Sequence, residues 1–424
     1  MQAAEVKLWK TRIGVVSTDE DSRFCYFKYD PNFIKSGINL SPFMMPLSDT
    51  IYQFKGLPFE SFRGLPGLLA DVLPDRYGNA LINAWLASQG RSAESFNSVE
   101  RLCYIGVRGM GALEFHPDKN RVMNKFEEIE IDQLVELSNK IISQKEKVIL
   151  SEDDDLKSII KVGTSAGGVR AKAIIAYNEK TKSIKSGQIN AGKGYSYWIL
   201  KLDNTNPDDN IPYTKIEYAY YLMAKDARIN MSDSKLLHKN NRYHFMTKRF
   251  DRVLLEDGTF DKLHMQTLGA LMHIDYNEPG MISYEEVTQI MHQLGLNLSD
   301  NEQFFRRMVF NVMAQNQDDH VKNISFLMNR KGEWSLSPAY DMTYAFNPNG
   351  KWTSEHQMII NGKRSNLQKE DLIISGKAMR LKESKILEII SEVSNSLGRW
   401  EEFAKESFID EKTIEAIKKT LILF

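Results

Sequence analysis

Three polar side chains in the stretch from Asn311 to Phe346 have the types and the spacing that phosphoryl transfer requires. Asp318 and Asn323 share a polar loop in a D-x-x-x-x-N arrangement, and Asp341 follows after a segment with the pattern of a strand hairpin. In enzymes of the kinase type, one carboxylate accepts or orients the attacking hydroxyl, an Asn holds magnesium, and a later Asp holds the metal that bridges the nucleotide phosphates. Short polar clusters also decorate ordinary loops, so both interpretations stay open for this stretch alone.

A glycine-containing loop precedes the strand predicted over residues 173–177. It runs from Val162 to Lys172 and reads VGTSAGGVRAK, with three glycines, two hydroxyls and two cations. Backbone N–H groups in such a loop can approach phosphate oxygens closely, although the text is neither a Walker A sequence nor G-x-G-x-x-G. Residues 105–115 also carry three glycines, for which bulges and tight turns are the commoner explanation.

A lysine lies near the end of the strand predicted over residues 195–202. Such a lysine is usually an edge residue that reaches water, but in a kinase the nucleotide lysine occupies this position and an acidic residue on the next helix orients it. The helix predicted over residues 216–228 carries Glu217 in its first turn, so order and spacing fit the kinase interpretation of Lys201. A strand predicted over residues 243–249 would connect two lobes.

The remaining segments predict the elements that must position these residues. Residues 5–30 alternate as an antiparallel hairpin or meander does, and residues 64–89 read as two helices separated at Pro74. The charged residues 117–161 include an acidic run typical of a solvated linker. From Lys262 onward the apolar residues recur mostly at helical spacing.

The composition limits the classes of protein to which the chain can belong. With 424 residues, two or three packed units are expected, and the hydrophobic fraction of 42% is that of a soluble globular protein. The 55 basic and 56 acidic residues exclude a global basic field for nucleic acid. Cys25 and Cys103 lack metal-ligand spacing, which favours buried thiols in a reducing cytoplasm. Without an apolar signal or spanning segment, we expect neither secretion nor membrane insertion.

Six short sequence motifs occur along the chain in this order: LLADVLPDRYGN, SAGGVRAKA, YWILK, KRFDR, NQDDHVKN and SPAYD. Together they resemble the HipA-type serine/threonine kinase toxins of bacterial toxin–antitoxin modules over nearly the whole chain. The resemblance implies an α+β, two-lobed protein-kinase-like fold with a mixed β-rich N-lobe and an all-helical C-lobe. The expected units are an N-terminal β-rich subdomain over residues 1–118, the N-lobe over 119–249 and the catalytic C-lobe over 250–424.

The resemblance also implies cofactors and partners. It predicts ATP and magnesium, and a protein substrate from translation, such as an aminoacyl-tRNA synthetase. It further predicts a helix-turn-helix, HipB-like antitoxin, through which DNA would be reached only indirectly, and no membrane partner.

Site residues are carried over position by position. Asp318 would be the catalytic base, and Asn323 and Asp341 would hold magnesium. The residues expected to bind nucleotide are Ser165, Ala166, Gly167, Gly168, Lys172, Lys201, Lys248, Phe250, His320, Asn323 and Asp341. Among them, Lys248 and Phe250 match an adenine-binding hinge that acts chiefly through backbone groups.

The phosphate loop carries one more expectation and one departure. Ser165 matches the serine that HipA-type kinases autophosphorylate, an event that expels the loop and switches the enzyme off. The loop sequence GGVRAK departs from the usual sequence of the family at this loop, so no contacts are assigned to Val169 and Arg170.

Three classes of function remain open from the sequence. The first is a protein kinase toxin, and the second is a small-molecule phosphotransferase, since such enzymes use similar D-x-x-x-x-N loops. The third is a non-catalytic protein that binds an antitoxin or acts as a corepressor. The presence of Lys201, Asp318, Asn323 and Asp341 argues against the third, because turnover needs these side chains and binding does not.

Overall fold

The computed structural model describes the following residues: 2–19, 23–74, 76–118, 131–132, 134–136, 138, 171–188, 190–203 and 211–424. Residues 162–170 of the predicted phosphate loop and the acidic run at 152–155 lie outside the described residues. Within the described ranges, no helix combines the length and the apolar character needed to cross a membrane.

The N-terminal part of the chain forms a four-stranded antiparallel sheet with the strand order β3-β2-β1-β4. Its strands are β1 (Gln2–Leu8), β2 (Thr11–Thr18), β3 (Tyr26–Tyr29) and β4 (Leu113–His116). Along β1, Ala4, Val6 and Leu8 are buried and the residues between them are partly exposed, so alternate side chains reach the core. The antiparallel arrangement predicted for residues 5–30 is confirmed.

Five α-helices lie among the described residues between β3 and β4. They are α1 (Pro31–Ile34), α2 (Phe59–Phe62), α3 (Gly67–Ala70), α4 (Arg76–Ser88) and α5 (Ser98–Ile105). Pro74 separates α3 from α4, as predicted, because its ring cannot continue a helix that has already begun. The strand-like setting expected for residues 105–115 holds only from Leu113 onward. Residues 106–112 form a turn, in which Gly106 and Gly111 have positive φ angles of 56° and 74°.

A five-stranded antiparallel sheet with the order β6-β5-β7-β9-β8 follows. Its strands are β5 (Lys172–Tyr177), β6 (Ile184–Ser186), β7 (Ser196–Lys201), β8 (Ser234–Lys239) and β9 (Arg242–Lys248). The helix α6 (Tyr213–Asp226) packs against this sheet. It begins three residues earlier than predicted, and Pro212, which has no backbone N–H to leave unpaired, occupies its N-cap.

The C-terminal part is built mainly from helices around one large core. They are α7 (Leu268–Met272), α8 (Tyr284–Gln293), α9 (Leu298–Met313), α10 (Lys369–Ala378), α11 (Glu383–Gly398), α12 (Trp400–Glu406) and α13 (Glu411–Lys418). Capping boxes at Ser283 and Asn297 begin α8 and α9, since each cap side chain accepts an otherwise unpaired helix N–H.

The expectation of an all-helical C-lobe needs correction. Two small sheets lie among these helices, with strands β10 (Arg252–Leu254), β11 (Phe260–Lys262), β12 (His264–Thr267), β13 (Ser325–Met328) and β14 (Trp334–Leu336). Strands of three or four residues are too short for a periodic pattern, so helical periodicity dominated the prediction for this region. The hairpin predicted between Asn323 and Asp341 is confirmed as β13–β14, and antiparallel pairing brings its two ends together.

Candidate active site

Lys201, Glu217 and Asp341 come from three separate elements and meet at one point, the Lys201 cluster. Lys201 ends β7, Glu217 lies on α6, and Asp341 follows the β13–β14 hairpin. The Lys201 ammonium donates to Oε1 of Glu217 at 2.6 Å and also contacts the carboxylate of Asp341. The predicted contact between the strand lysine and an acidic side chain of the next helix is therefore present. Glu217 occupies the second turn of α6 rather than the first, because α6 begins at Tyr213.

The charges of the Lys201 cluster hold each other ionised. Burial opposes the charged form of Lys201, but Asp341 and Glu217 outweigh it and raise the pKa of Lys201 above its ordinary value. Burial likewise opposes the charged form of Asp341, but Lys201 and Lys172 reverse this and hold the pKa of Asp341 well below its ordinary value. At neutral pH the cluster therefore presents a fixed cation and an ionised carboxylate.

Lys172, the first residue of β5, lies directly opposite Lys201 in the β5–β7 pairing. Cross-strand partners of an antiparallel pair project on the same face of the sheet, so two cations lie side by side there. Lys172 is 4% exposed. The four other residues predicted for the phosphate loop, Ser165, Ala166, Gly167 and Gly168, lie outside the described residues.

Asp318 lies in the loop between α9 and β13, where 47% of its side-chain surface remains exposed. Nε2 of His320 lies 3.7 Å from Oδ1 of Asp318. Partial desolvation raises the pKa of Asp318; His320 and Lys201 work against this rise, whereas Asp341 adds to it. The net effect is a raised pKa, which makes the carboxylate a stronger proton acceptor than an ordinary Asp.

Asn323 ends the short 3₁₀ turn Val321–Asn323, which we call the catalytic-loop turn. Its side-chain Nδ2 donates to the backbone oxygen of Asp318 at 2.8 Å. This bond closes the loop between the two residues. It uses the amide nitrogen, so the amide oxygen is the atom of Asn323 that can bind a cation.

The backbone at Asp341 is held in an uncommon conformation. Its φ angle is +56°, in the left-handed region, which Asp adopts more readily than most residues. The preceding residue, Tyr340, anchors this position: its hydroxyl donates to the backbone oxygen of Lys322 and lies within hydrogen-bond distance of Ser325 Oγ, both at 2.6 Å. Lys322 of the catalytic-loop turn and Ser325 of β13 thus hold the chain just before Asp341.

Asp319 has an anchoring role next to the site that the sequence did not reveal. Its Oδ2 accepts from the Tyr284 hydroxyl at 2.8 Å and lies 3.0 Å from Nδ1 of His356, and its Oδ1 accepts from the backbone N–H of Gln357 at 2.7 Å. Its side chain is 1% exposed, and His356 holds its pKa below the ordinary value despite burial. Asp319 therefore fastens the catalytic loop to α8 and to the segment after Asp341.

The predicted adenine hinge lies where the chain leaves β9. The backbone N–H of Lys248 donates to the oxygen of Asp233 at 2.8 Å, and its carbonyl accepts from Ser232 Oγ. The Phe250 ring lies 5.5 Å from the Tyr340 ring. The Lys248 N–H is therefore used inside the protein. Lys248 and Phe250 both line the cleft described below, and the role of the hinge in adenine binding stays a prediction.

Arg249, Asp251 and Arg252 form a second group of charges, the Asp251 cluster. Arg249 binds both oxygens of Asp251, at 2.9 and 2.7 Å, and Arg252 binds Oδ2 at 2.7 Å. The N–H of Gly111 donates to the same carboxylate at 2.7 Å, and Arg252 also donates to the backbone oxygen of Gly109. The glycine-rich turn at 106–112 is therefore a joint between the N-terminal sheet and the hinge, which supports the tight-turn interpretation.

One large cleft brings the predicted residues together. Its volume is about 2340 Å³. All the described members of the predicted site line it: Lys172, Lys201, Lys248, Phe250, Asp318, His320, Asn323 and Asp341. Residues of the N-terminal subdomain, including Ser61, Asp71 and Asn83, line the same cleft.

The donor set fits a magnesium nucleotide. Asn323 contributes an amide oxygen and Asp341 an ionised carboxylate, the hard oxygen ligands that Mg²⁺ prefers when phosphates supply the rest of its coordination. Lys172 and Lys201 supply the cations that phosphate oxygens need.

Two family models match most of the chain. The model of the HipA-like C-terminal domain matches residues 164–400, and the model of the HipA N-terminal domain matches residues 4–116. A curated protein of Haemophilus influenzae, named as a candidate kinase, is 25% identical over 157 residues. That match covers 34% of this chain and 44% of the relative, so this chain spans less than half of the relative's length.

Solved structures show the fold. HipA of Shewanella oneidensis, in a complex with HipB and operator DNA, aligns with a TM-score of 0.70 and 18% identity over 99% of this chain and 96% of that one. The Helicobacter pylori proinflammatory kinase CtkA aligns with a TM-score of only 0.33 and 11% identity, over 53% of this chain and 88% of that one. The predicted α+β, protein-kinase-like fold is confirmed by the first of these likenesses. By the match of its C-terminal and N-terminal domains, the chain belongs to the HipA family.

Proposed function

We propose that the protein is an ATP- and magnesium-dependent serine/threonine protein kinase and the toxin of a toxin–antitoxin pair. The observation that carries this proposal is the Lys201 cluster, which meets beside Asp318 in one cleft. A strand lysine held by a helix carboxylate, a metal-type Asp and a base-type Asp are the separate parts that phosphoryl transfer requires.

Asp318 acts as the base that accepts the proton of the attacking hydroxyl. Its raised pKa suits this role, and its exposed surface gives a substrate access. His320, 3.7 Å away, limits the rise in that pKa, so the carboxylate stays ionised over a wider pH range. The bond from Asn323 to the Asp318 backbone keeps the base at a fixed place in the loop.

The nucleotide is bound by residues on both sides of the cleft. Lys201, held charged and oriented by Glu217, binds the ATP phosphates, and Lys172 adds a second cation beside it. The Phe250 ring packs against the adenine. Asn323 and Asp341 would hold magnesium, which would neutralise charge at the phosphates when bound.

The substrate is a protein rather than a small molecule. The cleft of about 2340 Å³ exceeds the roughly 300–1,000 Å³ of ordinary small-ligand pockets, and it extends from the nucleotide residues to the N-terminal subdomain. A translation component such as an aminoacyl-tRNA synthetase, phosphorylated in the cytoplasm, is the substrate class that the family favours. A helix-turn-helix, HipB-like antitoxin is the proposed partner, and DNA is reached only through it.

Ser165 is the proposed site of autophosphorylation. It precedes the Gly167-Gly168 pair of the proposed phosphate loop by two residues, with Ala166 between them. A phosphate there would add about −1.5 to −2 charges and would compete with ATP for Lys172 and the loop N–H groups. Modification would therefore switch the enzyme off.

The decisive experiment is transfer from radiolabelled ATP into protein by the wild type and by Asp318→Asn. The variant keeps the volume of the side chain and loses the base, so we expect about 10²–10⁴-fold slower transfer with nearly unchanged nucleotide affinity. A variant that still transfers phosphate at the wild-type rate would refute the assignment of Asp318. Label that appears only in small molecules would instead identify a small-molecule phosphotransferase.

Mass spectrometry tests the switch separately. We expect phosphate on Ser165 in wild-type protein made in cells, and none in Asp318→Asn. An active kinase that never carries phosphate at Ser165, even after long incubation with ATP and magnesium, would contradict the switch and leave the kinase assignment intact.

A further inference from the structure

We propose that Asp71 is a positioning residue for the metal-binding side of the active site, through which the N-terminal subdomain takes part in turnover. The proposal rests on the kinase function proposed above. Asp71 follows α3 directly and lines the cleft that contains Asp318, yet it lies far from the catalytic loop in sequence.

Asp71 grips the start of α7 with both of its oxygens. Oδ2 accepts from the backbone N–H of Thr267 at 2.7 Å, and Oδ1 accepts from the Thr267 hydroxyl at 2.8 Å. Thr267 is the N-cap of α7, and its Oγ1 accepts in turn from the N–H of Ala270 at 3.2 Å. A single carboxylate therefore fixes the residue from which α7 begins, with charge-assisted bonds that are stronger than neutral ones.

The helices α3 and α7 touch backbone to backbone. A Cβ on Gly67 would lie 2.1 Å from the backbone oxygen of Ala270, which leaves no room for any side chain. The N–H of Gly67 also donates to Nε2 of His273, at the end of α7, at 2.9 Å. Because nothing compressible lies between them, a shift of α3 is passed directly to α7.

On its other side, α7 packs against the catalytic-loop turn. A Cβ on Gly269 would lie 3.0 Å from Cγ2 of Val321, and the N–H of Leu268 donates to the oxygen of Ile324 at 2.8 Å. These contacts flank Asn323 on both sides in sequence. The position of α7 therefore sets the position of Asn323, one of the two proposed magnesium ligands.

An electrostatic interaction also links Asp71 to the catalytic-loop turn. Burial raises the pKa of Asp71, and the positive charge of Lys322, on the catalytic-loop turn, is the largest influence that opposes the rise. The Lys322 ammonium itself is held 4.4 Å from the centre of the Tyr276 ring. A charge interaction between Asp71 and Lys322 therefore accompanies the contacts that run through α7.

A second contact across the same boundary provides a matched control. Glu114, on β4 of the N-terminal sheet, pairs with Lys262 on β11 at 2.9 Å. This pair also joins the N-terminal subdomain to the C-terminal part, but its hydrogen bonds involve β11 and the turn at Val107 rather than α7. Truncating Glu114 tests the loss of a contact between the N-terminal subdomain and the C-terminal part without changing the contacts between α7 and the catalytic-loop turn.

The experiment compares Asp71→Ala with Glu114→Ala and with the conservative Asp71→Asn. We measure kcat and KM for ATP at saturating magnesium, and hydrogen exchange of the backbone amides of residues 318–324 without nucleotide. For Asp71→Ala we expect kcat to fall about 10–100-fold, because small displacements of catalytic groups have effects of that size. The KM for ATP should change less than about twofold, and exchange in 318–324 should become faster.

Asp71→Asn retains an acceptor for the Thr267 N–H and should recover part of both losses. Glu114→Ala should leave kcat and the exchange of residues 318–324 at wild-type values. Equal losses of kcat in Asp71→Ala and Glu114→Ala, or unchanged exchange in 318–324 with Asp71→Ala, would overturn the proposal. A wild type without phosphoryl transfer would refute the kinase function instead, and the exchange comparison would still test the link from Asp71 to the turn.

Discussion

The Lys201 cluster and the Asp251 cluster combine the same kinds of groups and differ in what they leave accessible. In the Asp251 cluster the side chains of Arg249 and Asp251 are 0% exposed and that of Arg252 is 7% exposed. In the Lys201 cluster Asp341 keeps 32% of its side-chain surface exposed. The carboxyl pKa is lowered in both clusters, despite burial, by neighbouring cations.

A perturbed pKa therefore does not separate a structural cluster from a catalytic one in this protein. The Asp251 carboxylate accepts from two arginines and from a backbone N–H, which leaves little capacity for a ligand. Asp341 has one cation in contact and an open side. The difference in open coordination, rather than in charge, is what separates the Lys201 cluster, which we propose to be reactive, from the Asp251 cluster.

The substitution Asp251→Asn should have the largest effect on stability. It leaves two buried arginines without their counter-charge, so we expect the free energy of unfolding to fall by about 3–5 kcal/mol. Urea titration of the variant and the wild type measures the difference. Since the folded pKa of Asp251 is depressed, its contribution is present above the ordinary Asp pKa and is lost as the pH falls through the folded value. An unchanged urea midpoint of unfolding at neutral pH would show that Asp251 does not stabilise the fold.

The matched substitution Asp341→Asn should damage chemistry and spare the fold. Removing the carboxylate charge weakens a magnesium ligand, so we expect transfer to fall by about 10–100-fold or more. The free energy of unfolding should fall by less than in Asp251→Asn, because Asp341 is partly solvated and Lys201 retains Glu217. Titrating ATP with and without magnesium should show a smaller magnesium effect in the variant. An unchanged magnesium effect would move the metal elsewhere.

Glu217→Gln should have a smaller effect within the same cluster. The amide keeps an oxygen for Lys201 but loses the charge that helps to raise the pKa of Lys201. Since Asp341 still holds Lys201, we expect ATP affinity to weaken by less than about tenfold, equivalent to less than about 1.4 kcal/mol. Equilibrium binding of ATP provides the measurement. A complete loss of binding would mean that Glu217 alone orients the lysine.

The smallest expected change is a shift in the pH profile with His320→Gln. His320 lowers the pKa of Asp318, so its removal should raise that pKa further and move the acidic limb of kcat to higher pH. The base must be deprotonated to act, and activity is therefore lost as the pH falls through its pKa. The profile of kcat against pH for the two proteins decides the matter. An acidic limb that stays in place would show that His320 does not influence the base.

Local patterns in the sequence were sufficient for much of the active site and of the fold. Asp318 and Asn323 share one loop, so their spacing made a common role one of two open interpretations, and the structure bonds the Asn323 side chain to the Asp318 backbone. Alternating residues predicted the antiparallel N-terminal sheet, because alternation reflects burial of one face. A short apolar run predicted the strand that carries Lys201. The ordered motifs predicted the HipA family, which the domain matches confirm.

Only the tertiary structure distinguished neighbouring residues of identical type. Asp318 and Asp319 are adjacent in sequence, but one opens on the cleft and the other is buried against Tyr284 and His356. The residues around Asp71 in the sequence do not indicate that it accepts hydrogen bonds from Thr267. Of the two small C-terminal sheets, only the β13–β14 hairpin was predicted, because the other strands have three or four residues and β12 pairs with a strand distant in sequence. Periodicity reports which face of an element is buried, whereas the partner that a carboxylate meets is decided by contacts between residues far apart in the chain.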